Sequence, residues 1–194
     1  MSEIWYNNFM KSYLITDPKY FTNDIKKFKD ILNNIIINNN IDYVCFRDKS
    51  SENYEELARV FVSTCKQNNI SNIFINTHIN LAYRLKVSGV HLTSTQVDNI
   101  QYAKSIGLKV IISCHNELDI NKAIENKADY ITYSPIFDTP NKGEAKGLND
   151  LIQIVNKYNN IKIFALGGII SARHIDLITN IKVYGFASIR YFIK

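Results

Sequence analysis

The sequence has 194 residues and a mass of 22.4 kDa, with 46% hydrophobic and 21% charged residues. This size fits one domain with a sizeable core, and no segment has the roughly 18 uninterrupted apolar residues of a membrane helix. The net charge of +5 comes from basic residues that are scattered along the chain, which argues against nucleic acid as the main partner. We therefore expect one globular domain, residues 1–194, with no membrane or nucleic-acid partner.

The N-terminus and the cysteines indicate the compartment. The first eleven residues, MSEIWYNNFMK, contain an acidic residue and no apolar stretch of signal-peptide length. The three cysteines, Cys45, Cys65 and Cys114, form no CxxC pair, which argues against a disulfide framework and a zinc knuckle. These features predict a cytoplasmic protein with reduced thiols.

Short runs rich in β-branched and aromatic residues alternate with helical segments along the chain. The predicted strands are residues 12–17, 43–48, 72–76, 89–93, 109–114, 129–137, 162–168 and 183–189. Most are nearly continuously apolar, as is typical of parallel strands covered on both faces. Eight βα units favour a single (β/α)8 TIM barrel of the α/β class, although counting alone leaves a doubly wound sheet open.

Polar residues mark some helix starts. Thr22 is expected to cap the helix after the first strand, and Ser171 the helix after the seventh. Only residues 190–194 follow the eighth strand, which predicts a stunted C-terminal helix. We expect the segment around Trp5 and Phe9 to cover that side of the barrel.

A pair of glycines ends the seventh predicted strand, and Ser171 follows shortly after. Gly167 and Gly168 would let backbone N–H groups approach an anion, and the following helix N-terminus adds a favourable dipole. In a (β/α)8 barrel, ligands are held at the carboxyl ends of the strands. This position therefore favours a phosphate site over a tight turn without a ligand.

Two further strand ends carry cations. Arg47 and Lys49 lie two residues apart in an extended segment and could clamp a diphosphate, or they could belong to a solvated loop with a charge pair to Asp48. After strand 6, the run SPIFDTPNKGEAKG is too long for a simple connector. Its Thr139 and Lys142 are candidate phosphate donors, and the alternative is a mobile loop without a ligand.

Three histidines, His78, His91 and His115, lie at or just past the ends of strands 3, 4 and 5. They could converge as a metal site or an acid–base pair. A histidine inside an apolar run such as GVHLT is more often a hydrogen-bonded core residue, and no nearby carboxylate would orient the set. We therefore predict no metal site here.

Several strings together are similar to the thiamin phosphate synthase and TenI family. They are ITDP (15–18), RDK (47–49), FIN (74–76), GVHL (89–92), SCH (113–115), ADYITYSPIFDTPNKG (128–143) and ALGGI (165–169). Their order and spacing match through almost the whole chain. The loop P-I-F-x-T-x-x-K followed by the GGI turn is the most specific part.

The resemblance implies a barrel in thiamin biosynthesis that binds phosphorylated small molecules. Synthases of the family join hydroxymethylpyrimidine diphosphate to hydroxyethylthiazole phosphate with Mg²⁺. Carried over by position, the residues facing pyrophosphate are Arg47, Lys49 and Asn76, with Ser113 near the pyrimidine. Those holding the thiazole phosphate are Thr139, Lys142, Gly167, Gly168, Ile189 and Arg190. Homo-oligomerisation is left open.

The chain departs from the synthase pattern where magnesium would bind. The resemblance implies a glutamine where Cys45 stands, and an aspartate where Thr77 stands. A second expected aspartate falls in residues 93–96, which contain no carboxylate. Mg²⁺ prefers carboxylate and phosphate oxygens. We therefore expect no cofactor, and Mg²⁺ only if synthase activity is retained.

The TenI branch isomerises a thiazole tautomer and needs no magnesium. Its histidine before the [VI]-F-x-T string is here Pro135, so His115 is the candidate catalytic residue by position. The sequence thus favours a TenI-like thiazole tautomerase or a divergent synthase. The alternative is a catalytically silent phosphate-binding barrel with a regulatory role.

Overall fold

The computed structural model describes residues 10–193, and its eight parallel strands close into one barrel in sequential order. The strands are β1 (Lys11–Ile15), β2 (Tyr43–Phe46), β3 (Asn72–Asn76), β4 (Gly89–Leu92), β5 (Lys109–Cys114), β6 (Tyr130–Tyr133), β7 (Lys162–Leu166) and β8 (Gly185–Ser188). The predicted (β/α)8 fold is confirmed. The predicted covering segment around Trp5 and Phe9 lies outside the described residues.

Helices follow the strands and form the outer layer. They are α1 (Pro18–Phe21), α2 (Ile25–Asn38), α3 (Tyr54–Gln67), α4 (Ile79–Arg84), α5 (Ile100–Ser105), α6 (Glu117–Glu125), α7 (Gly147–Lys157) and α8 (Ala172–Thr179). A 3₁₀ helix, Ser94–Asn99, precedes α5, and up to residue 193 only a 3₁₀ turn, Arg190–Phe192, follows β8. This turn confirms the stunted C-terminal helix. Across residues 10–193, no helix is long and apolar enough to span a membrane.

One of the two predicted helix caps is wrong. Thr22 ends α1 with a positive φ of 58°, and Asp24 caps α2 by accepting from the Lys27 N–H. The carboxylate two residues nearer the helix is the better placed acceptor. The Ser171 cap of α8 is confirmed, because its side chain accepts from the His174 N–H.

Strand 6 is shorter than the predicted run 129–137. Pro135 has no N–H to donate and interrupts the ladder after Tyr133. The backbone then resumes contact with the end of β7, because Ile136 N–H donates to Leu166 O at 2.9 Å and Phe137 N–H to Gly167 O at 3.0 Å. The segment after β6 is therefore fastened to the turn after β7.

Aromatic rings fill the barrel interior. Tyr13 and Phe164 lie with ring centroids 5.2 Å apart, and both are fully buried. Glycines make room for such rings: a Cβ on Gly89 would lie 2.7 Å from Phe74, and one on Gly185 would lie 2.6 Å from Phe164. The part of the barrel away from the carboxyl ends of the strands is thus a packed core, and polar side chains lie at those carboxyl ends.

Candidate functional site

The turn after β7 is built by glycine geometry. Gly167 and Gly168 have φ of +98° and +68°, which side chains rarely adopt. A Cβ on Gly167 would lie 2.7 Å from Pro135, and one on Gly168 would lie 2.6 Å from Phe137. Both glycines are therefore required by conformation and by contact with the loop after β6. The turn leads directly to the capped N-terminus of α8.

The end of β8 is tied to the same turn. Ser188 is buried, and its hydroxyl donates to Ile169 O at 2.7 Å while accepting from Tyr191 N–H at 3.1 Å. The predicted site residues Ile189 and Arg190 follow Ser188 and are half-buried. They therefore follow a residue that is hydrogen-bonded to Ile169, next to the Gly167-Gly168 turn.

The loop after β6 carries the other two predicted phosphate donors. The Thr139 hydroxyl donates to Phe137 O at 2.9 Å, and Lys142 is exposed. At its far end the loop is anchored, because Lys146 N–H donates to Pro135 O and Gly147 N–H to Ile136 O. Lys142 therefore lies in the exposed middle of a loop whose two ends are held by backbone hydrogen bonds.

His174 is a contact residue that sequence reasoning missed. Its ring stacks on Phe137 with centroids 4.4 Å apart, and its Nδ1 accepts from Ile170 N–H at 3.2 Å. It thereby joins the loop after β6 to the first turn of α8. The sequence did contain a signal for it. His174 is the third residue after the Ser171 cap, and a side chain at that position of a helix faces back over the cap.

The strand-2 cations do not form the expected side-by-side pair. The Arg47 guanidinium lies 2.7 Å from Asp17 Oδ2, so its charge pair crosses to the end of β1 and is not with Asp48. Asp48 instead accepts from Ser50 N–H and Ser51 N–H, which turns the chain. Lys49 therefore lies exposed in a turn, where the sequence predicted an extended segment.

Asn76 at the end of β3 is buried and directed toward β4. Its Nδ2 donates to His91 O at 2.8 Å. The backbone carbonyl of Asn76 accepts from the Tyr54 hydroxyl at 3.2 Å, and the Tyr54 ring contacts the exposed His78 ring at a tilt of 43°, with centroids 4.4 Å apart. The hydrogen bond to His91 O thus holds the side-chain amide of Asn76 in one orientation at the barrel mouth.

The residues at the expected magnesium positions do not fit Mg²⁺. Gln96 Oε1 accepts from Thr93 N–H at 3.1 Å and from the Thr93 hydroxyl at 3.2 Å, so this oxygen is used in a capping box. Thr77 offers only a neutral hydroxyl. In residues 10–193, no group of three or more His, Cys, Asp and Glu side chains is placed to hold a metal. The donor set lacks the carboxylates that Mg²⁺ prefers.

His91 lies in the core, as the apolar run around it predicted. It is 4% exposed, and its Nδ1 lies 2.9 Å from the Tyr13 hydroxyl. Its Nε2 lies 3.2 Å from Ser113 Oγ. Burial lowers the pKa of His91 to about 3, with a smaller contribution from the Arg47 charge. His91 is therefore neutral at physiological pH, and its Nε2 is hydrogen-bonded to the predicted site residue Ser113.

His115 is the second imidazole at the mouth, and it is half-buried. Its Nδ1 lies 3.1 Å from Ser134 O, and its backbone N–H donates to Asp119 Oδ2 at 2.8 Å. Nδ1 also lies 3.3 Å from Ser134 Oγ, which can accept or donate. A carbonyl oxygen can only accept, so the shorter hydrogen bond to Ser134 O requires a proton on Nδ1. Nε2 is then the acceptor nitrogen of His115.

The strands form a closed parallel barrel, which defines the protein as a (β/α)8-barrel protein. Its candidate site lies at the carboxyl ends of the strands, the face where such barrels hold ligands. The family follows from comparison. The family model described as thiamine monophosphate synthase matches residues 12–192. The chain belongs to this family, as its motifs predicted.

Curated relatives agree with this assignment. A thiamine-phosphate synthase of Prochlorococcus marinus subsp. pastoris is 31% identical over 161 residues, 81% of this chain and 44% of that protein. One of Geobacillus thermodenitrificans is 34% identical over 64% of this chain and 60% of that protein. The chain thus spans about half the length of these curated relatives.

The fold has a close counterpart. The structure of the thiamine phosphate pyrophosphorylase from Pyrococcus furiosus matches with a TM-score of 0.78 at 22% identity, covering 94% of this chain and 86% of that chain. At this identity, the likeness is evidence for the fold alone.

Proposed function

We propose that this protein binds hydroxyethylthiazole phosphate at the barrel mouth, with the phosphate at the Gly167-Gly168 turn. The observation that carries the proposal is the pair of left-handed glycines fastened to the β6 loop and followed by the α8 N-terminus. Backbone N–H groups and a helix dipole favour an anion at such a place. Thr139, Lys142, Ile189 and Arg190 supply the surrounding contacts.

The reaction that we propose is a TenI-like tautomerisation of a thiazole phosphate. In such a step a base removes a proton from one carbon of the non-aromatic tautomer, and the proton is returned to another carbon, with no net change in electrons. The His115 ring supports this role because Ser134 O fixes its tautomer and leaves Nε2 to accept a proton. The reaction needs no metal, in keeping with the donor set at residues 77 and 96.

A divergent synthase is the second candidate, since the curated relatives carry that name. Arg47, Lys49 and Asn76 would then face the pyrophosphate of the pyrimidine substrate, with Ser113 near the ring. Arg47 shares its charge with Asp17, so pyrophosphate departure would have weaker electrostatic support than two free cations provide. We therefore rank this candidate below tautomerisation.

Binding is tested by titrating purified protein with hydroxyethylthiazole phosphate and with the unphosphorylated alcohol. The phosphate ester should raise the melting temperature, and the alcohol should not. Lys142→Ala should weaken binding about five- to tenfold, as expected for a charge-assisted contact of ~1–1.5 kcal/mol. Lys122→Ala removes the same charge from the exposed face of α6 and should bind as the wild type does. No shift at millimolar ligand would contradict the proposal.

Activity is tested with the thiazole tautomer phosphate and, separately, with both synthase substrates and Mg²⁺. We expect tautomerisation in the first assay, with loss of at least a hundredfold in His115→Asn. His78→Asn, on the exposed ring beside Tyr54, is the matched control. Robust synthase turnover would favour the second candidate. Ligand binding without either activity would indicate the silent phosphate-binding barrel.

A further inference from the structure

The even-numbered strands of the barrel all begin in the same way. The residue directly before each of them donates its backbone N–H to the carbonyl oxygen of the second residue of the preceding strand. The four pairs are Asp42 with Ser12, Ser88 with Ile73, Asp129 with Val110 and Tyr184 with Ile163. The barrel therefore contains four equivalent positions whose side chains can be compared directly.

In the first three pairs, the side chain before the even-numbered strand makes a second hydrogen bond. Its oxygen accepts from the N–H of the same strand residue. These bonds join Ser12 N–H to Asp42 Oδ2 at 2.9 Å, Ile73 N–H to Ser88 Oγ at 3.2 Å and Val110 N–H to Asp129 Oδ2 at 2.7 Å. Both aspartates also form an ion pair, with Lys11 at 2.7 Å and with Lys104 at 2.6 Å. A side-chain oxygen thus satisfies an N–H at the start of each of these strands.

Ile163 lacks this acceptor. Its carbonyl accepts from Tyr184 N–H at 3.0 Å, and its own N–H faces β8 as well, because the N–H and C=O of one strand residue point to the same side. The Tyr184 hydroxyl lies 2.6 Å from the hydroxyl of the buried Tyr43 and does not turn back to this N–H. Within residues 10–193, the Ile163 N–H has no hydrogen-bond acceptor, although Ile163 is only 3% exposed.

Ile163 lines a cavity at the N-terminal face of the barrel. The cavity has a volume of about 400 Å³ and lies between the end of α7 and the starts of β7 and β8. Val155, Ile161 and Val183 give it an apolar wall. A cavity of this size and lining suits a small organic molecule with an apolar body.

Two lysines of the same cavity have no carboxylate partner. Lys162 Nζ lies 5.4 Å and 5.1 Å from the ring centroids of Tyr130 and Tyr184, so two cation–π contacts hold its position. Lys182 is exposed and precedes Tyr184 by two residues. In the part of the chain that the structure describes, neither ammonium group forms an ion pair. The cavity therefore brings an unpaired N–H together with two cations, the kinds of donor that Asp129 satisfies at β6.

We propose that this cavity is a second binding site, for a small organic carboxylate with an apolar body. One carboxylate oxygen accepts from the Ile163 N–H, as Asp129 Oδ2 does from Val110, and the charge is balanced by Lys162 and Lys182. The apolar body lies against the apolar wall. The site is at the opposite end of the barrel from the Gly167-Gly168 turn, so it does not depend on the proposed function.

The unpaired N–H is tested without any ligand, by hydrogen exchange of ¹⁵N-labelled protein followed by NMR. Ile163 and Val110 both follow a lysine at the start of a strand, which makes them a matched pair. We expect the Ile163 N–H to exchange at least about tenfold faster than the Val110 N–H, because only the latter has a side-chain acceptor. Equal protection would overturn the proposal, since Ile163 would then have a partner within the protein.

Binding is tested by NMR titration with benzoate and with benzamide, a neutral molecule of the same shape. Benzoate should shift the Ile163 amide resonance downfield and saturably, and should leave the Val110 resonance in place. It should bind about fivefold more tightly than benzamide, because only benzoate carries the charge that the lysines balance. No saturable shift at Ile163, or equal affinity for the two compounds, would overturn the proposal.

Lys182→Gln should weaken benzoate binding about fivefold. Lys127→Gln is the matched control and should bind as the wild type does. Lys127 is also exposed, precedes Asp129 by two residues and has a φ of +63°, compared with +57° at Lys182. Unchanged affinity in Lys182→Gln would contradict the proposed role of this cation.

Tyr184→Asp supplies the missing carboxylate from the chain itself. It should abolish benzoate binding and slow the exchange of the Ile163 N–H toward that of Val110. Benzoate binding that persists in a folded Tyr184→Asp protein would overturn the proposal. If this variant does not fold, the comparison of Lys182→Gln with Lys127→Gln decides the question.

Discussion

The guanidinium of Arg47 lies 2.7 Å from the carboxylate of Asp17, across the carboxyl ends of two neighbouring strands. Each side chain is 25% exposed, so the pair is partly shielded from solvent. Asp17 also accepts from Lys19 N–H and thereby caps α1. The strongest candidate cation of the mouth is therefore already paired within the protein.

Removing the carboxylate should strengthen anion binding. Asp17→Asn keeps the shape and an acceptor oxygen but frees the charge of Arg47, so affinity for inorganic pyrophosphate should rise by roughly fivefold, or ~1 kcal/mol. Titration calorimetry measures the change. Asp30→Asn, at an exposed position of α2, removes the same charge and should have no effect. Unchanged or weaker binding in Asp17→Asn would mean that the pair positions Arg47 for the anion.

Stability should fall in mild acid because of His91. The folded state keeps this ring neutral down to about pH 3, whereas the unfolded chain protonates it below its ordinary pKa of 6.5. The unfolded state therefore binds more protons in this window, and the His91 contribution is complete above about pH 6.5 and is lost as the pH falls toward 3. The slope approaches ~1.4 kcal/mol per pH unit.

The measurement is the free energy of unfolding in urea at several pH values for the wild type and for His91→Gln. The variant is expected to be less stable at pH 7 but to lose less stability on acidification. The difference between the two curves isolates His91, because the other titrating groups are common to both. Parallel curves would show that His91 is not kept neutral by burial.

Adding a methyl group to the Gly167-Gly168 turn should be costly. In Gly168→Ala the new Cβ would lie 2.6 Å from Phe137 at a φ of +68°, so strain and overlap add to ~2–4 kcal/mol. Gly107→Ala is the matched control, because its φ is +84° and a Cβ would meet no atom within 4 Å. It should cost only ~1 kcal/mol. Equal losses of unfolding free energy would argue against close packing at the turn.

Thr77 is a β-branched residue with a φ of +62°, a conformation that aspartate and asparagine tolerate better. Thr77→Asp and Thr77→Asn should therefore both stabilise the protein by ~1 kcal/mol. Only Thr77→Asp adds a carboxylate, so only this variant should gain Mg²⁺-dependent binding of pyrophosphate. Melting temperatures and calorimetry with and without Mg²⁺ separate the two effects. A Mg²⁺ effect in Thr77→Asn would rule out the carboxylate as its source.

Much of the fold could be predicted because its signals are local. Continuous apolar runs mark strands covered on both faces, and their number and alternation with helices favoured the barrel that the structure has. The ends of the runs were less predictable. Pro135 stops β6 early, and Asp24, not Thr22, caps α2, because single hydrogen bonds decide where an element ends.

By itself, the sequence favoured the barrel and indicated the family and the glycine turn after β7, since each depends on short runs of residues. Only the tertiary structure decided the partners: Asp17 for Arg47, Tyr13 for His91 and Ser134 for His115. Tyr13 and His91 are separated by 78 positions, and barrel closure brings them together. Local patterns fix which face a side chain occupies, but the partner on that face depends on how distant strands meet.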